Sequence, residues 1–409
     1  MNIVLEPGAA ALLDELHRAG FGAYAVGGCV RDSLLGLAPH DWDLCTAARP
    51  GQVMELFGED RCIPTGLQHG TVTVKRDGKL YEITTFRTDG RYSDGRHPDS
   101  VAFVPDLRED LARRDFTINA MAYSAEEGLC DPFGGREDLA RGVVRAVGEP
   151  LRRFGEDALR ILRLYRFAAR FGFAIDEATE AAAKQLASHL DCVSAERIEE
   201  ELNKLLAAPQ PGAYLEPEVL AFVLPELPPE ELTKARRRID ALPAGAEQVS
   251  ARWAALLLPL GETGARKALK RLKCSNARID GAAALVRECG EKTPDTLDKC
   301  DLRLQAKRLL GKYDLHTVQQ LTALWTALAP EEKASFDALR AEAEALTAQG
   351  VCCRISQLAV NGRDLMTAGA APGPGLRRVL EALLEEVITG RLPNEKTELL
   401  AFAAGFSAS

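Results

Sequence analysis

The sequence has no apolar run long enough to cross a lipid bilayer. Its longest strongly apolar stretch, residues 254–260, contains Pro259 and falls far short of the ~20 residues that a membrane-spanning helix needs. The first residues also lack a basic segment followed by an apolar core, so we expect no secretory signal. With 409 residues, 46% of them hydrophobic and 27% charged, the chain is typical of a globular protein of several domains with no membrane partner.

Cysteine patterns that hold zinc or form disulfide frameworks are also absent. The ten cysteines are scattered, none forms a Cys-x-x-Cys pair, and the adjacent Cys352 and Cys353 cannot easily bind one metal together. No histidine-rich stretch follows His40 and Asp41, which argues against a metal-dependent phosphohydrolase domain. We therefore expect free, buried thiols in a reducing, cytoplasmic compartment.

Positive charge is scarce overall but concentrated in places. The 51 basic residues are outnumbered by 60 acidic ones, which gives a net charge of −9 and argues against nucleic-acid binding over the whole surface. Three local clusters are nevertheless basic: residues 145–170, 236–238 and 266–278. Such clusters either bind RNA or are simply solvated helix faces.

The order of local signals predicts an α/β head followed by a helical body. We expect a helix over residues 9–19, a strand over 24–26, and a hairpin of strands 71–75 and 80–86 around Asp77-Gly78. Beyond about residue 140 nearly every segment has helical spacing. Proline and glycine clusters mark joints at residues 209–212, 225–229 and 372–375.

The most informative segment couples a glycine turn to two aspartates. Residues 27–32 read Gly-Gly-Cys-Val-Arg-Asp directly after the predicted strand, and such a turn before a helix lets backbone N–H groups approach a phosphate. Arg31 adds a cationic fork for phosphate oxygens. Asp41 and Asp43 are two residues apart, so in an extended segment both carboxylates point to one face. Two carboxylates beside a triphosphate are what a pair of Mg²⁺ ions needs.

Two later segments place further charged residues at predicted helices. Residues 113–122 begin Arg-Arg-Asp and become apolar, which predicts a helix that Asp115 caps; alternatively, Arg114 contacts a phosphate and Asp115 the ribose hydroxyl of a ribonucleotide. In the second segment, polar residues recur every three positions and predict one charged side of a single helix: Asp157, Arg160, Arg163 and Arg166. An intrahelical surface ion pair is the alternative there.

These motifs resemble the nucleotidyltransferase superfamily that includes DNA polymerase beta, poly(A) polymerases and tRNA CCA-adding enzymes. Their order, with Ser-Ala-Glu-Arg-Ile at residues 194–198, is similar to the bacterial tRNA CCA-adding enzymes, of the class shared with bacterial poly(A) polymerases. Residues 65–74 resemble the CCA-adding branch in particular. The resemblance implies an α+β fold with a catalytic head at 1–140, a helical neck that recognises the base at 141–210, a helical body at 211–300, and a tRNA-binding helical tail at 301–409.

The resemblance also implies roles for individual residues. Asp41 and Asp43 would hold Mg²⁺, and Glu82 would be a third carboxylate, although a cross-strand salt bridge explains Glu82 equally well. Eight residues would surround the nucleotide: Gly28 and Arg31 at its phosphates, Arg114 and Asp115 at phosphate and ribose, Asp157 and Arg160 at the base, and Arg163 and Arg166 nearby.

The reaction implied is the template-independent addition of C, C and A to the 3′ end of tRNA from CTP and ATP, with release of pyrophosphate. A poly(A) polymerase, a partial enzyme that adds only CC or only A, and a noncatalytic RNA-binding protein are the alternatives. Residues 65–74 disfavour the first, and residues 87–99 disfavour a CC-only enzyme because they resemble the flexible loop of full CCA enzymes. The presence of both Asp41 and Asp43 argues against the last.

Overall fold

The chain forms two compact units, each of which is described here by itself. The computed structural model describes residues 3–90, 101–291 and 301–406. The first unit comprises Met1–Pro229 with Arg271–Lys273, and the second comprises Glu230–Lys270 with Cys274–Ser409. In these described ranges no helix combines the length and the apolarity needed to cross a membrane.

A mixed sheet forms the head of the first unit. Its strands are β1 (Ala23–Val26), β2 (Leu44–Thr46), β3 (Cys62–Gly66), β4 (Thr71–Arg76), β5 (Lys79–Thr85), β8 (Ala122–Ser124) and β9 (Gly128–Cys130). They lie in the order β3-β4-β5-β2-β1-β8-β9, and β2 runs parallel to β5 while the other neighbours are antiparallel. Two small ladders lie outside this sheet: β6 (Arg87–Asp89) with β7 (Val101–Phe103), and β10 (Val143–Val144) with β11 (Ala174–Ile175).

Helices make up most of the remainder, as the spacing predicts. The first unit holds α1 (Pro7–Arg18), α2 (Gly28–Leu34), α3 (Pro50–Phe57), α4 (Leu107–Ala112), α5 (Gly135–Arg141), α6 (Pro150–Glu156), α7 (Leu159–Phe171), α8 (Glu177–Gln185), α9 (Ala195–Leu206) and α10 (Pro217–Val223). The helices after Pro229 are α11 (Pro229–Asp240), α12 (Val249–Leu257), α13 (Gly261–Arg271), α14 (Asn276–Glu291), α15 (Leu302–Lys312), α16 (Leu315–Leu328), α17 (Lys333–Ala348), α18 (Gly362–Thr367), α19 (Pro374–Ile388) and α20 (Lys396–Phe406).

The predicted hairpin and first helix are present. Asp77 and Gly78 both have positive φ, 49° and 76°, which is the backbone that a two-residue hairpin turn requires between β4 and β5. The apolar face of α1 packs Leu12, Leu13 and Leu16 into the core, each at most 2% exposed. The nine cysteines of the described ranges are free thiols, and seven of them are buried. The predicted fold class, a nucleotidyltransferase-like α/β head followed by helices, is confirmed.

Two predicted helices are wrong in their bounds. Residues 116–122 form no helix: a single 3₁₀ turn, Thr117–Asn119, leads into β8, because Ala122 and Tyr123 pair with the edge of β1. Nor do residues 156–167 form one helix. Asp157 is extended, with φ −144° and ψ 104°, and separates α6 from α7. Asp157 therefore precedes the helix that it was predicted to belong to, and its carboxylate accepts from the N–H of Leu159, the first residue of α7, at 3.1 Å.

Candidate active site

Three carboxylates lie beside one another on the exposed face of the sheet. Asp41 and Asp43 flank Trp42, which is buried at 9% exposure, so the extended segment before β2 points both aspartates outwards as predicted. The parallel register pairs Leu44 with Ile83. Asp43 therefore lies next to Glu82, which is also exposed.

The electrostatics of these carboxylates suit a divalent cation. Desolvation by the surrounding protein raises the pKa of Asp43. The positive charge of Arg114 lowers this pKa in part, and the negative charge of Asp41 raises it further. Desolvation followed by the charges of Asp43 and Asp41 raises the pKa of Glu82. In the described ranges no hydrogen bond or ion pair neutralises any of the three, and no group of three or more carboxylate, imidazole or thiol side chains encloses a metal position. Two carboxylates completed by water and substrate phosphates is the usual donor set for Mg²⁺, so the residues fit this ion.

Next to Asp43 is a cavity of about 470 Å³ whose walls are dominated by arginine. Its charged lining comprises eight arginines and three aspartates: Arg31, Arg113, Arg114, Arg160, Arg163, Arg166, Arg170, Arg197, Asp43, Asp115 and Asp157. The excess of guanidinium groups matches a polyanion of several negative charges, and fixed forks of N–H donors match phosphate oxygens. The cavity joins the glycine turn of the head to α7 and the start of α9.

The glycine turn lets arginines approach the backbone. Gly27 has φ 78°, and a Cβ built there would lie 2.7 Å from Nη1 of Arg114, so a larger residue would be strained and would displace the Arg114 guanidinium. Gly28 begins α2 and lines the cavity. Arg31 also lines it, but the side chain is buried and donates to Asp32 at 2.8 Å and to Asn119 at 2.5 Å. Asp32 and Asn119 therefore hold the Arg31 guanidinium in a fixed position at the cavity wall.

Asp115 is the buried centre of the site. Its Oδ2 accepts from Nε and Nη2 of Arg163 at 2.9 and 2.6 Å, and its Oδ1 accepts from Asn119 at 3.0 Å. Burial alone would raise the pKa of this carboxyl, but the Arg163 charge and these hydrogen bonds hold it well below its usual range. Asp115 is thus ionised and links the head to α7 rather than capping a helix.

The arginines of α7 are oriented by one buried glutamate and one aromatic ring. Glu201 of α9, 4% exposed, lies 2.7 Å from Arg166 and 3.9 Å from Arg163. The guanidinium carbons of Arg166 and Arg163 lie 4.0 and 5.4 Å from the centroid of Phe167. Burial lowers the pKa of Arg166 to about 10, which leaves it charged at neutral pH. These contacts hold two cations against the cavity wall.

Asp157 and Arg160 lie at the junction of α6 and α7, where both already have protein partners. Asp157 accepts from Arg197 at 2.9 Å with one oxygen and from Leu159 with the other. Nη1 of Arg160 donates to the Arg153 carbonyl and to Glu156, and its Nη2 donates to the Arg113 carbonyl at 3.1 Å. These contacts use three of the five guanidinium N–H groups and one lone pair on each Asp157 oxygen, so both side chains keep capacity for a base.

Sequence reasoning missed two members of this network. Asn119 bridges Arg31 and Asp115, and its spacing of four residues from Asp115 was the available signal. Glu201 is the last of three consecutive glutamates, and its spacing of three from Ile198 and four from Leu205 placed it on the apolar face of α9. A carboxylate on a buried helix face needs a cationic partner.

Family models match three successive parts of the chain. Residues 23–145 match the poly A polymerase head domain, residues 172–228 match the probable RNA and SrmB-binding site of polymerase A, and residues 246–403 match tRNA nucleotidyltransferase domain 2.

Relatives are similar over nearly their whole length. The CCA-adding enzyme of Limosilactobacillus fermentum is 38% identical over 96% of this chain and 95% of its own, and that of Latilactobacillus sakei is 39% identical over 96% of both. The crystal structure of the Bacillus stearothermophilus CCA-adding enzyme in complex with CTP superimposes with a TM-score of 0.81 at 34% identity, covering 99% of this chain and 98% of the other. The Thermotoga maritima CCA-adding enzyme complexed with tRNA_CCA shares the fold, with a TM-score of 0.70 at 22% identity.

Proposed function

The chain belongs to the CCA-adding enzyme family, and we propose that it adds C, C and A to the 3′ end of tRNA from CTP and ATP without a template. The observation that carries this proposal is Asp43, with Asp41 beside it, at the edge of a cavity lined by eight arginines. That juxtaposition suits the transfer of a nucleotidyl group and the release of pyrophosphate. The similarity to CCA-adding enzymes over both chains' lengths supports the choice of product.

In this mechanism the arginine cavity binds the triphosphate and holds the α-phosphate beside the carboxylates. Arg114, which is only partly buried, reaches the phosphates over Gly27, while Arg163 and Arg166 supply charge from α7. Asp115 fixes Arg163, and because its four lone pairs already accept from Arg163, Asn119 and the N–H of Phe116, a ribose hydroxyl would take the place of one of these donors. The protein thus supplies positioning and charge, and no covalent intermediate is needed.

Base selection is assigned to Asp157 and Arg160. A carboxylate accepts from the exocyclic amino group that C and A share, and a guanidinium donates to the neighbouring ring acceptor. U and G present a carbonyl oxygen where C and A present the amino group, and a carboxylate repels it. The lone pairs and N–H groups that both residues keep beyond their protein contacts support this role.

Asp41 and Asp43 would hold Mg²⁺, which lowers the pKa of the attacking hydroxyl and neutralises the triphosphate when bound. Glu82 stands beside them as a third carboxylate, in accordance with its place in the parallel register. The proposed function places the protein in the cytoplasm, which its free thiols suit.

The test is to incubate the protein with tRNA that lacks its 3′ terminal CCA, with CTP and ATP, and to sequence the products. We expect tRNA that ends in CCA. Tails of A alone would indicate a poly(A) polymerase, and arrest at CC or at a single A would indicate a partial enzyme.

The Asp43→Asn variant tests the role of the carboxylates in the same assay. We expect the rate to fall at least about 1,000-fold, roughly 4 kcal/mol of barrier, while the affinity for tRNA stays within about twofold. The exposed Asp60→Asn, a matched change in the head, should keep full activity. If Asp43→Asn retains a rate within about tenfold of the parent, the carboxylates do not carry the chemistry.

A further inference from the structure

A second cavity lies in the helical part of the first unit, apart from the arginine cavity. Its volume is about 260 Å³, and its walls come from α7, β11, α8 and the turn before α10. No residue that lines it also lines the arginine cavity. Any ligand that it binds is therefore distinct from the nucleotide.

One wall of this cavity contains a buried hydroxyl group without a partner. Tyr165 lines the cavity and is 2% exposed, and its hydroxyl makes no hydrogen bond within the described part of the chain. The neighbouring Tyr214 differs, because its hydroxyl donates to the Phe173 carbonyl at 3.1 Å. A buried polar group that lacks a hydrogen bond destabilises the folded protein. A ligand that donates to the Tyr165 oxygen would supply the missing partner.

Negative charge is in excess around this hydroxyl. Desolvation raises the pKa of Tyr165, and the charges of Glu216, Glu180 and Glu218 raise it further. Lys184 is shared between two of these carboxylates, since its Nζ lies 3.3 Å from Glu180 and 3.5 Å from Glu216. One lysine against three ionised glutamates leaves two negative charges, and no arginine or lysine of the described residues lines the cavity itself.

These walls suit an organic ammonium group. Such a group has three N–H donors for the phenol oxygen and the carboxylates, and its charge is attracted to aromatic ring faces. The rings of Tyr165, Phe173 and Tyr214 also supply apolar area for an alkyl chain. A metal ion fits less well, because the described residues contain no group of three ligating side chains placed to hold one. The carboxylates would repel a phosphate, so the cavity does not suit RNA.

We propose that this cavity binds a free aliphatic diamine, one ammonium group of which donates to the Tyr165 hydroxyl and to the carboxylates of Glu180 and Glu216. The methylene chain lies against the ring of Phe173. Two ammonium groups match the excess of two negative charges. Lys184 keeps its ion pairs, because it does not line the cavity.

Calorimetric titration of the full chain with 1,4-diaminobutane, without tRNA or nucleotide, tests the site. We expect saturable binding of one diamine, which Tyr165→Phe weakens about tenfold because it removes a hydrogen bond to a charged group. The same change should leave the melting temperature of the free protein equal or higher, because it deletes an unpartnered hydroxyl.

The control is Tyr123→Phe in β8, a buried tyrosine of the same compact unit that does not line the cavity; its affinity for the diamine should equal that of the parent. Absence of saturable binding to the parent, or equal affinities of Tyr165→Phe and the parent, would overturn the proposal. The site does not depend on the proposed nucleotidyl transfer, and the titration contains no substrate, so failure of one leaves the other standing.

The pH dependence of binding tests the carboxylates. Desolvation and the hydrogen bond and charge of Glu218 raise the pKa of Glu216 to about 7, although Lys184 lowers it in part. As pH falls below this value Glu216 gains a proton and loses its charge, whereas an aliphatic amine stays charged. Affinity for the diamine should therefore fall about tenfold from about pH 8 to pH 6. Glu216→Gln should bind weakly at both values, and a parent affinity that is independent of pH would contradict the assignment.

Two further titrations identify the ligand class. Magnesium chloride at equal ionic strength should give no saturable signal that Tyr165→Phe weakens; a signal equal to that of the diamine would show general screening of acidic side chains and would reject the site. Nα-acetyl-lysine methylamide carries one ammonium group and should bind at least about fivefold more weakly than the diamine, because it lacks the second charge. Tighter binding of this lysine derivative would overturn the choice of a free diamine and assign the cavity to a lysine side chain of another protein.

Discussion

Asp115 is the single residue on which most contacts of the site converge. Its carboxylate holds Arg163 of α7 and Asn119 of the head, and Asn119 holds Arg31. The pKa of Asp115 is well below its usual range, chiefly through Arg163 despite burial. A group whose folded pKa is depressed stabilises the fold above its unfolded pKa of about 3.9, and that contribution is lost as pH falls further.

Asp115→Asn should therefore lower the free energy of unfolding at pH 7 by about 3 kcal/mol, because it leaves Arg163 without its buried partner. The variant should also lose less stability than the parent between about pH 4 and pH 2. Urea unfolding across this pH range measures both effects. Asp60→Asn, at an exposed position, is the control, and parallel pH profiles for Asp115→Asn and the parent would contradict the assignment.

Asp157 should select the base, although it also pairs with Arg197. In Asp157→Asn the amide can donate to the carbonyl oxygen of U, so incorporation of UTP relative to CTP should rise about tenfold, roughly 1.4 kcal/mol. The ratio of the two kcat/KM values measures this change. Arg197→Gln removes the ion pair but keeps the carboxylate, and should lower stability with little change in the ratio. Equal ratios for Asp157→Asn and the parent would leave Asp157 as a structural residue.

At the scale of elements, α9 orients α7. The two helices pack in the first unit, and Glu201 is the buried anion between Arg163 and Arg166. Glu201 was not among the predicted site residues, yet its carboxylate determines where Arg163 and Arg166 lie. Its removal should affect both nucleotides alike, because Arg163 and Arg166 face the phosphates and not the base in the proposed mechanism.

Glu201→Gln should raise KM for CTP and for ATP by a similar factor, about tenfold, and lower the free energy of unfolding by about 3 kcal/mol. Steady-state kinetics with each nucleotide and urea unfolding measure these effects. The control is its neighbour Glu200→Gln, since Glu200 is exposed and pairs with Lys204 of its own helix. A change in the CTP-to-ATP preference would show that Glu201 acts on base choice instead.

Elements also show where local signals fail. The hairpin β4–β5 follows from Asp77-Gly78 and the alternation around it, because turn and pattern are both encoded within a few residues. The apolar residues 116–122 are compatible with a helix as well as with a strand. The strand β8 forms because Ala122 and Tyr123 pair with the free edge of β1. Tertiary pairing of this kind overrides local propensity.

At the scale of the whole molecule, the proposed function requires an acidic protein to present a basic surface to tRNA. Of the cluster at residues 266–278, Arg266 pairs with Glu262 and Asp280, and Arg271 pairs with Glu226. Lys267 and Lys270 of α13 are exposed and have no ion-pair partner among the described residues. They are therefore the members of the cluster most available to phosphates.

Changing Lys267 and Lys270 together to alanine should weaken tRNA binding about tenfold at low salt and reduce the salt slope by about two, since each phosphate contact contributes about one. Binding isotherms over a range of salt concentrations measure both, and the Kd for CTP should stay the same. Lys333→Ala, whose lysine pairs with Asp337 in its own helix, is the control. An unchanged salt slope would remove α13 from the RNA surface.

The segment at residues 87–99, which resembles the flexible loop of full CCA enzymes, lies outside the described residues from 91 onwards. Its predicted role in A addition stays a prediction, as do the domain bounds at residues 140, 210 and 300. The two compact units divide the chain close to Pro229.

The sequence by itself determined the fold class and the outward-facing pair Asp41 and Asp43, and it predicted most of the charged residues that line the arginine cavity. Strand alternation and the glycine turn are each encoded within a few neighbouring residues, and the order of the motifs can be read directly along the chain. These features can therefore be predicted without knowledge of the tertiary structure. The tertiary structure alone decided that Asp115 binds Arg163 across 48 positions, that Glu201 orients α7, and that Asp43 lines the arginine cavity. Ion pairs between residues far apart in the sequence depend on how the helices and the sheet pack. A local sequence pattern therefore cannot predict which arginine a buried carboxylate will bind.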